Sequence, residues 1–411
     1  MRARAVVCIP AATTSAGLLQ PIAGVPALLR LLLCAQRAGI EDILLLGWRQ
    51  GLSGVQARVM QDSRLIARLI WVADQPWAAV LRDHPELEKE WWEGDVWVLP
   101  ANGAIDARLL RQAVQCEDSA AMAVIEATPG MSATRTAAVF RVRGPWLHSV
   151  LETAGEVKLS TVLNDLPGLG DAVRIASGGL VCAPVVSNAN HAAVERALWR
   201  ALKSSSDGWV DRYLNRRFSP WLSRQFVRVP LTPNQVTVIA FVIGLAAAFG
   251  FAHGSWLGGV VGALLLQWSA IIDCCDGEVA RLTFSESTNG YYLDITCDNI
   301  VHVAVFAGIA WSSYPALGET YALLLGGLAA MGTMVSFVVV LATRRRRTRV
   351  PPASLDRLID ALATRDFSVI LIICALTGTL QWFLWALAAG VNLFWLIALG
   401  LACRAQRAAN G

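Results

Sequence analysis

The hydrophobic rhythm of the chain changes once, close to residue 200. Before that point, short β-branched or leucine-rich runs alternate with amphipathic segments. Residues 5–10, 42–47, 65–72, 95–100, 121–128 and 136–142 read as strands. Residues 26–39, 106–115 and 191–203 repeat apolar positions every three or four residues and read as helices. Strands separated by helices predict an α/β, Rossmann-like sheet. From residue 235 onward the apolar runs approach membrane-spanning length, at 235–252, 256–272, 289–313, 321–343, 367–380 and 383–403. The expected organisation is an α/β domain over 1–200, a linker over 203–233, and an all-α six-helix transmembrane domain over 234–411. The fifth span is short and its boundary with the sixth is open.

Charge placement orients these spans. The loops around 252–255, 312–319 and 377–382 hold no Lys or Arg. The opposite side carries Arg281, Arg344, Arg345, Arg346, Arg347, Arg349, Arg357, Arg365, Arg404 and Arg407. Positive residues stay inside, so a multi-pass protein of the cell's inner membrane with both termini in the cytoplasm is expected. The linker interleaves Trp209, Tyr213, Phe218, Trp221 and Phe226 with Arg212, Arg216, Arg217, Arg224 and Arg228. That pattern suits helices lying in the headgroup region, in contact with membrane lipids. Binding of substrate phosphate by Arg216 and Arg217 is the alternative.

Composition narrows the classes further. The net charge is +4, which gives no indication of a nucleic-acid partner. The nine cysteines are an odd number without a CxxC pair, so no disulfide framework is expected. The apolar run after Met1 reads as a buried first strand rather than a signal peptide, because a folded pattern continues from it.

The candidate chemistry is concentrated in residues 273–298, DCCDGEVARLTFSESTNGYYLDITCD. Asp273 and Asp276 are three residues apart, and Asp294 and Asp298 are four apart; both are same-face offsets on a helix. Two neighbouring helices would therefore present four acids to a common space at the membrane surface. Like charges repel there, and desolvation adds to the cost. An all-oxygen site of this kind suits Mg²⁺, Mn²⁺ or Ca²⁺ better than zinc. Gly277 and Ala280 leave a groove beside the first acid pair, Gly290 opens the second, and Arg281 supplies a cation. Together they describe a diphosphate site. Cys274 and Cys275 read as packing residues, with a redox role as the alternative. His302, one turn beyond Asp298, reads as a buried histidine bonded to a neighbouring helix, or else as a group tuning that carboxylate.

The residues Asp273, Asp276, Gly277, Ala280, Arg281, Gly290, Asp294 and Asp298 meet every fixed position of the pattern D-x-x-D-G-x-x-A-R, eight residues, G-x-x-x-D-x-x-x-D. In this the C-terminal half resembles the CDP-alcohol phosphotransferase family. The resemblance implies a transferase that moves a substituted phosphate from a CDP-alcohol donor to a hydroxyl acceptor, with release of CMP. It further implies two divalent ions, Mg²⁺ or Mn²⁺, held by the four aspartates, with Asp298 as general base. It places Asn234 near the nucleotide, Arg365 near the active site, and two copies of the chain in a homodimer. The run Arg344 to Arg347 has two readings: topogenic charge, or a site for a phosphate on acceptor or lipid donor. A non-catalytic membrane scaffold is the rival from another class.

The opening of the chain resembles sugar-phosphate nucleotidyltransferases, and the linker resembles that of fused inositol-phosphate cytidylyltransferase/di-inositol-phosphate phosphate synthases. The chemistry of the first resemblance is missing. Thr13 and Ser15 stand in the loop where glycines and an arginine belong, Gln20 replaces the lysine before Pro21, and Asn102 and Gly103 stand where a metal-binding aspartate is expected. The nucleotidyltransferase-like domain is therefore expected to keep the fold without nucleotidyl transfer. A bifunctional enzyme with a working cytidylyltransferase is the alternative.

Overall fold

A computed structural model of the chain describes residues 3–115, 122–125, 128, 139–154, 157–158, 161, 173–185, 188–202, 210–345 and 367–410. The chain divides into two compact units, Met1–Leu202 and Lys203–Gly411.

In the first unit, eleven described strands run from β1 (Ala3–Cys8) through β2 (Pro21–Ile22), β3 (Val25–Pro26), β4 (Ile40–Trp48), β5 (Arg68–Ala73), β6 (Asp95–Pro100), β7 (Gly103–Ile105), β8 (Met122–Ile125), β9 (Phe140–Arg143) and β10 (Val173–Ile175) to β11 (Cys182–Pro184). Seven of them form one sheet in the order β10-β8-β9-β6-β1-β4-β5. β6 lies at its middle, with β1 beside it and parallel to both β4 and β6, while β9 runs antiparallel between β6 and β8. Both faces of the central strands are buried, which explains the near-continuous hydrophobic runs in the sequence. On one face Val6, Leu44, Val72, Val98 and Val142 pack against Trp77, Trp92, Leu147 and Leu151. The helices of this unit are α1 (Ser15–Leu19), α2 (Ala27–Arg37), α3 (Ser53–Met60), α4 (Trp77–Asp83), α5 (Ala107–Gln115), α6 (Gly144–Ala154) and α7 (Asn188–Arg200). β11 pairs with the short β7, whose three residues carry no readable period in the sequence.

The second unit is helical. It comprises α8 (Arg216–Arg228), α9 (Pro233–Ala252), α10 (Trp256–Thr283), α11 (Thr288–Leu317), α12 (Glu319–Arg345), α13 (Phe367–Leu376) and α14 (Leu380–Asn410). Among the described residues, five helices are long and apolar enough to cross a membrane: α9, α10, α11, and the stretches Glu319–Val339 of α12 and Leu380–Leu401 of α14. The fifth expected span is α13, apolar but only 10 residues long. The chain therefore has the composition of a multi-pass membrane protein. The second span does not end at residue 272: α10 carries on through both acids to Thr283 without a break. Hydropathy falls at Asp273, but helical backbone bonding does not.

α9, α10 and α11 approach closely because small residues meet at their crossings. A Cβ on Gly308 would lie 2.6 Å from the Ala248 carbonyl oxygen, and one on Gly262 would lie 2.9 Å from that of Ala247. Such contacts let backbones pack without a hydrophobic driving force between the helices.

Candidate active site

Three helix ends build the site. The first is the start of α9, where Thr232 Oγ1 accepts from the Gln235 amide and Gln235 Oε1 accepts from the Thr232 amide. This capping box, with Pro233 in the first turn, fixes the helix start. It sets Asn234 and Thr237, three residues apart, on one face. The second is the end of α10, which stops at Phe284 in the left-handed conformation, φ 58°. The Ser285 amide closes that end by donating to the Ala280 carbonyl at 3.0 Å. The third is the start of α11, where Ser287 Oγ accepts from the Gly290 amide at 3.0 Å. The tight return over 284–287 leads into α11, which packs on α9 as α10 does, and acids of α10 and α11 face one another.

Carboxylate oxygens of Asp273, Asp294 and Asp298 all lie within 4.8 Å of one another, Asp273 buried and the other two half-buried. No other group of three or more potential metal ligands occurs among the described residues. Three carboxylates so close are a donor set for a hard divalent cation, and the residues present fit one. Asp276 lies outside this triple. It is buried, and its Oδ2 accepts a hydrogen bond from Thr237 Oγ1 at 2.5 Å. Asp276 and Asp294 both line a cavity of about 340 Å³, so all four acids stand at one site with the fourth held by α9.

The other wall residues match the sequence reading. Asn234, Gly277, Ala280, Arg281 and Gly290 all line the cavity. Both glycines make room for a named neighbour. A Cβ on Gly277 would sit 3.3 Å from Arg281 Nη1, and one on Gly290 would sit 3.0 Å from Asn234 Oδ1. The turn adds Ser285, Glu286 and Ser287, and the start of α11 adds Tyr291, none of them singled out from sequence. Their signal was weak: polar residues in a turn read as ordinary loop chemistry.

The remaining candidates lie elsewhere. Arg217 is exposed on α8 and does not line the cavity. Arg216 is turned inward, with Nη1 2.5 Å from Glu278 Oε1. That contact argues against its being a free cation for phosphate. Arg344 and Arg345 end α12, but their side chains lie outside the described residues, as do Arg346, Arg347 and Arg365 altogether. His302 stacks on Phe306 at 6.0 Å and meets the edge of Phe367 at 5.5 Å. Cys275 is buried, its thiol donating to the Ile271 carbonyl at 3.3 Å. In the first unit the Asn102 carbonyl accepts from the Val185 amide at 2.7 Å, and the Arg49 guanidinium donates to the Thr13 carbonyl.

Residues 230–395 match the family model of CDP-alcohol phosphatidyltransferase. A bifunctional IPC transferase and DIPP synthase of Archaeoglobus fulgidus is 38% identical over 125 residues, 30% of this chain and 24% of that protein. An archaetidylinositol phosphate synthase of Methanothermobacter thermautotrophicus is 32% identical over 136 residues, 31% of this chain and 64% of the relative. The chain thus spans between about a quarter and two thirds of the length of these curated relatives. Among solved structures, the Mycobacterium tuberculosis phosphatidylinositol phosphate synthase with CDP-DAG bound is 22% identical, with a TM-score of 0.35, covering 45% of this chain and 93% of that one. The inositol-1-phosphate CTP transferase from T. maritima is 12% identical, with a TM-score of 0.35, covering 48% and 94%.

Proposed function

We propose, from the premise that residues 230–395 form a CDP-alcohol phosphatidyltransferase domain, that this protein transfers a substituted phosphate from a CDP-alcohol to an acceptor hydroxyl and releases CMP. The observation that carries the reading is the acid triple Asp273, Asp294 and Asp298, adjoining a cavity walled by Asp276, Gly277 and Arg281.

Asp273, Asp294 and Asp298, with Asp276 beside them, would hold two divalent ions, Mg²⁺ or Mn²⁺. Bound there, such ions neutralise charge on the transferred phosphoryl group and on the CMP leaving oxygen. Arg281 pairs with the diphosphate, and its position over Gly277 keeps it at the cavity wall. Gly277, Ala280, Gly290 and Asn234 leave room for the nucleotide. The acceptor hydroxyl attacks the β-phosphorus, a new P–O bond forms, and the bond to CMP breaks. Asp298 takes the hydroxyl proton as general base. The products are CMP and a phosphodiester.

The names of the relatives, synthases of inositol phosphate lipids and of DIPP, support a phosphorylated polyol as acceptor. Donors of two kinds remain: a CDP-diacylglycerol type, or a CDP-polyol. The arginine asymmetry of the loops supports a cytoplasmic site in the inner membrane. The N-terminal unit is proposed to have lost nucleotidyl transfer, since Gln20, Asn102 and Gly103 replace its cation and metal ligand.

Membranes carrying the full chain should release CMP from a radiolabelled CDP-alcohol when Mg²⁺ or Mn²⁺ and inositol phosphate are supplied, and chelation should stop them. Absence of CMP release with donors of both kinds sinks the reading. CDP-alcohol formation from CTP by residues 1–200 would restore the bifunctional alternative.

A further inference from the structure

Glu278 sits two residues beyond Asp276 on α10, so its side chain leaves the helix on the side away from the cavity. It is 1% exposed. Its carboxylate accepts from Ser219 Oγ and Ser223 Oγ of α8, each at 2.7 Å, and from Arg216 Nη1 at 2.5 Å. Both serines are fully buried. They are four residues apart on one stripe of α8, and the stripe continues to Asn215. Asn215 Oδ1 accepts from Gln267 Nε2 at 2.6 Å, three helical turns before Glu278 on α10. Polar bonds therefore join α8 and its N-terminal flank to α10 at two levels. Between them, Leu222 and Phe226 pack against Val236, Ala240, Ile272 and Cys275.

Apolar packing alone would hold these helices together. A buried ion pair adds little net stability over apolar side chains of similar size. What three directed bonds on one carboxylate add is a single allowed rotation and axial position. Asp276, Gly277 and Arg281 lie on the same two turns of α10 as Glu278, facing the cavity. The geometry points to Glu278 as a positioning residue: with Arg216, Ser219 and Ser223 it fixes the last turns of α10, and through them the placement of Asp276 and Arg281. This rests on the transferase reading above.

The test uses the full chain in detergent, with thermal unfolding, equilibrium binding of CDP in the presence of Mn²⁺, and steady-state CMP release measured for each variant. Ser219→Ala/Ser223→Ala keeps the charge pair and removes two of the three bonds. It should stay folded and bind CDP within about threefold of wild type, yet lose about tenfold or more in kcat per CDP-binding site, since small misplacements at reacting atoms are costly. Glu278→Gln removes the charge that pairs with Arg216 and should lose more. Arg216→Gln/Glu278→Gln, which restores a neutral hydrogen-bonded pair, should recover part of that loss. Wild-type kcat in the folded serine variant overturns the role, and so does a fall in activity that only follows the fraction folded. Should wild type itself neither bind CDP nor release CMP, the transferase reading fails; variants that match an active wild type remove only the positioning role.

Discussion

The α/β unit and the acid cluster of the helical unit bury charge in opposite ways. In the α/β unit, buried charged groups are settled by their neighbours. Arg30, 4% exposed, donates to the Ile22 carbonyl at 2.9 Å and the Ala23 carbonyl at 3.3 Å, and burial pushes its guanidinium down to about 10. Asp106 accepts two bonds from the Arg108 side chain, at 3.1 and 2.8 Å. In the helical unit, Asp273, Asp294 and Asp298 are instead crowded within 4.8 Å of like charge. Such crowding costs stability without a counter-charge, which supports the divalent-cation reading proposed above.

That contrast is broken most severely at Asp298. Asp298→Asn should lower kcat by about 10²–10⁴-fold, the usual worth of a general base, while CDP binding is largely spared. CMP release against equilibrium CDP binding checks it, and near-wild-type turnover means the base is misassigned.

A smaller effect is expected from packing. Gly308→Ala places a methyl 2.6 Å from the Ala248 carbonyl oxygen, backbone that cannot swing aside. Helix propensity favours alanine by about 1 kcal/mol, whereas overpacking costs about 1–3 kcal/mol. The clash wins, and the thermal midpoint of the detergent-solubilised chain should fall. An unchanged or higher midpoint would show that α9 and α11 can separate at no cost.

The mildest prediction sharpens the picture of the first unit. Burial raises the thiols of Cys8, Cys34 and Cys182 from 9.0 to about 12. They should resist alkylation of the native chain at pH 8, read by mass spectrometry. Since the folded values lie above the unfolded one, their contribution to stability is intact below about pH 9 and is lost as pH rises towards about 12. Ready labelling at pH 8 would show that the sheet opens.

Much of this was legible in the residues, for identifiable reasons. The central strands announced themselves as hydrophobic runs because both sheet faces are covered. The acids were legible because spacing on a helix decides which side chains meet. The finer split, with Asp276 bonded to Thr237 and the other three together, depends on how α9 crosses α10 and has no local signature. Glu278 was missed for a different reason: it occupies a position the motif leaves free, and its partners come from 55 to 62 residues away. The spacing of Asn215, Ser219 and Ser223 was its faint trace, small polar residues every fourth position in a helix otherwise read by its aromatics and arginines.

The unbroken course of α10 sets the depth at which chemistry takes place. Its 28 residues make a rod of about 42 Å, against roughly 30 Å of lipid hydrocarbon. Asp273 stands about 26 Å from the start of that rod, where acyl chains give way to headgroups. On the transferase reading proposed above, a lipid donor would enter sideways from the bilayer and a polar acceptor would descend from the aqueous phase, so neither would have to cross that boundary.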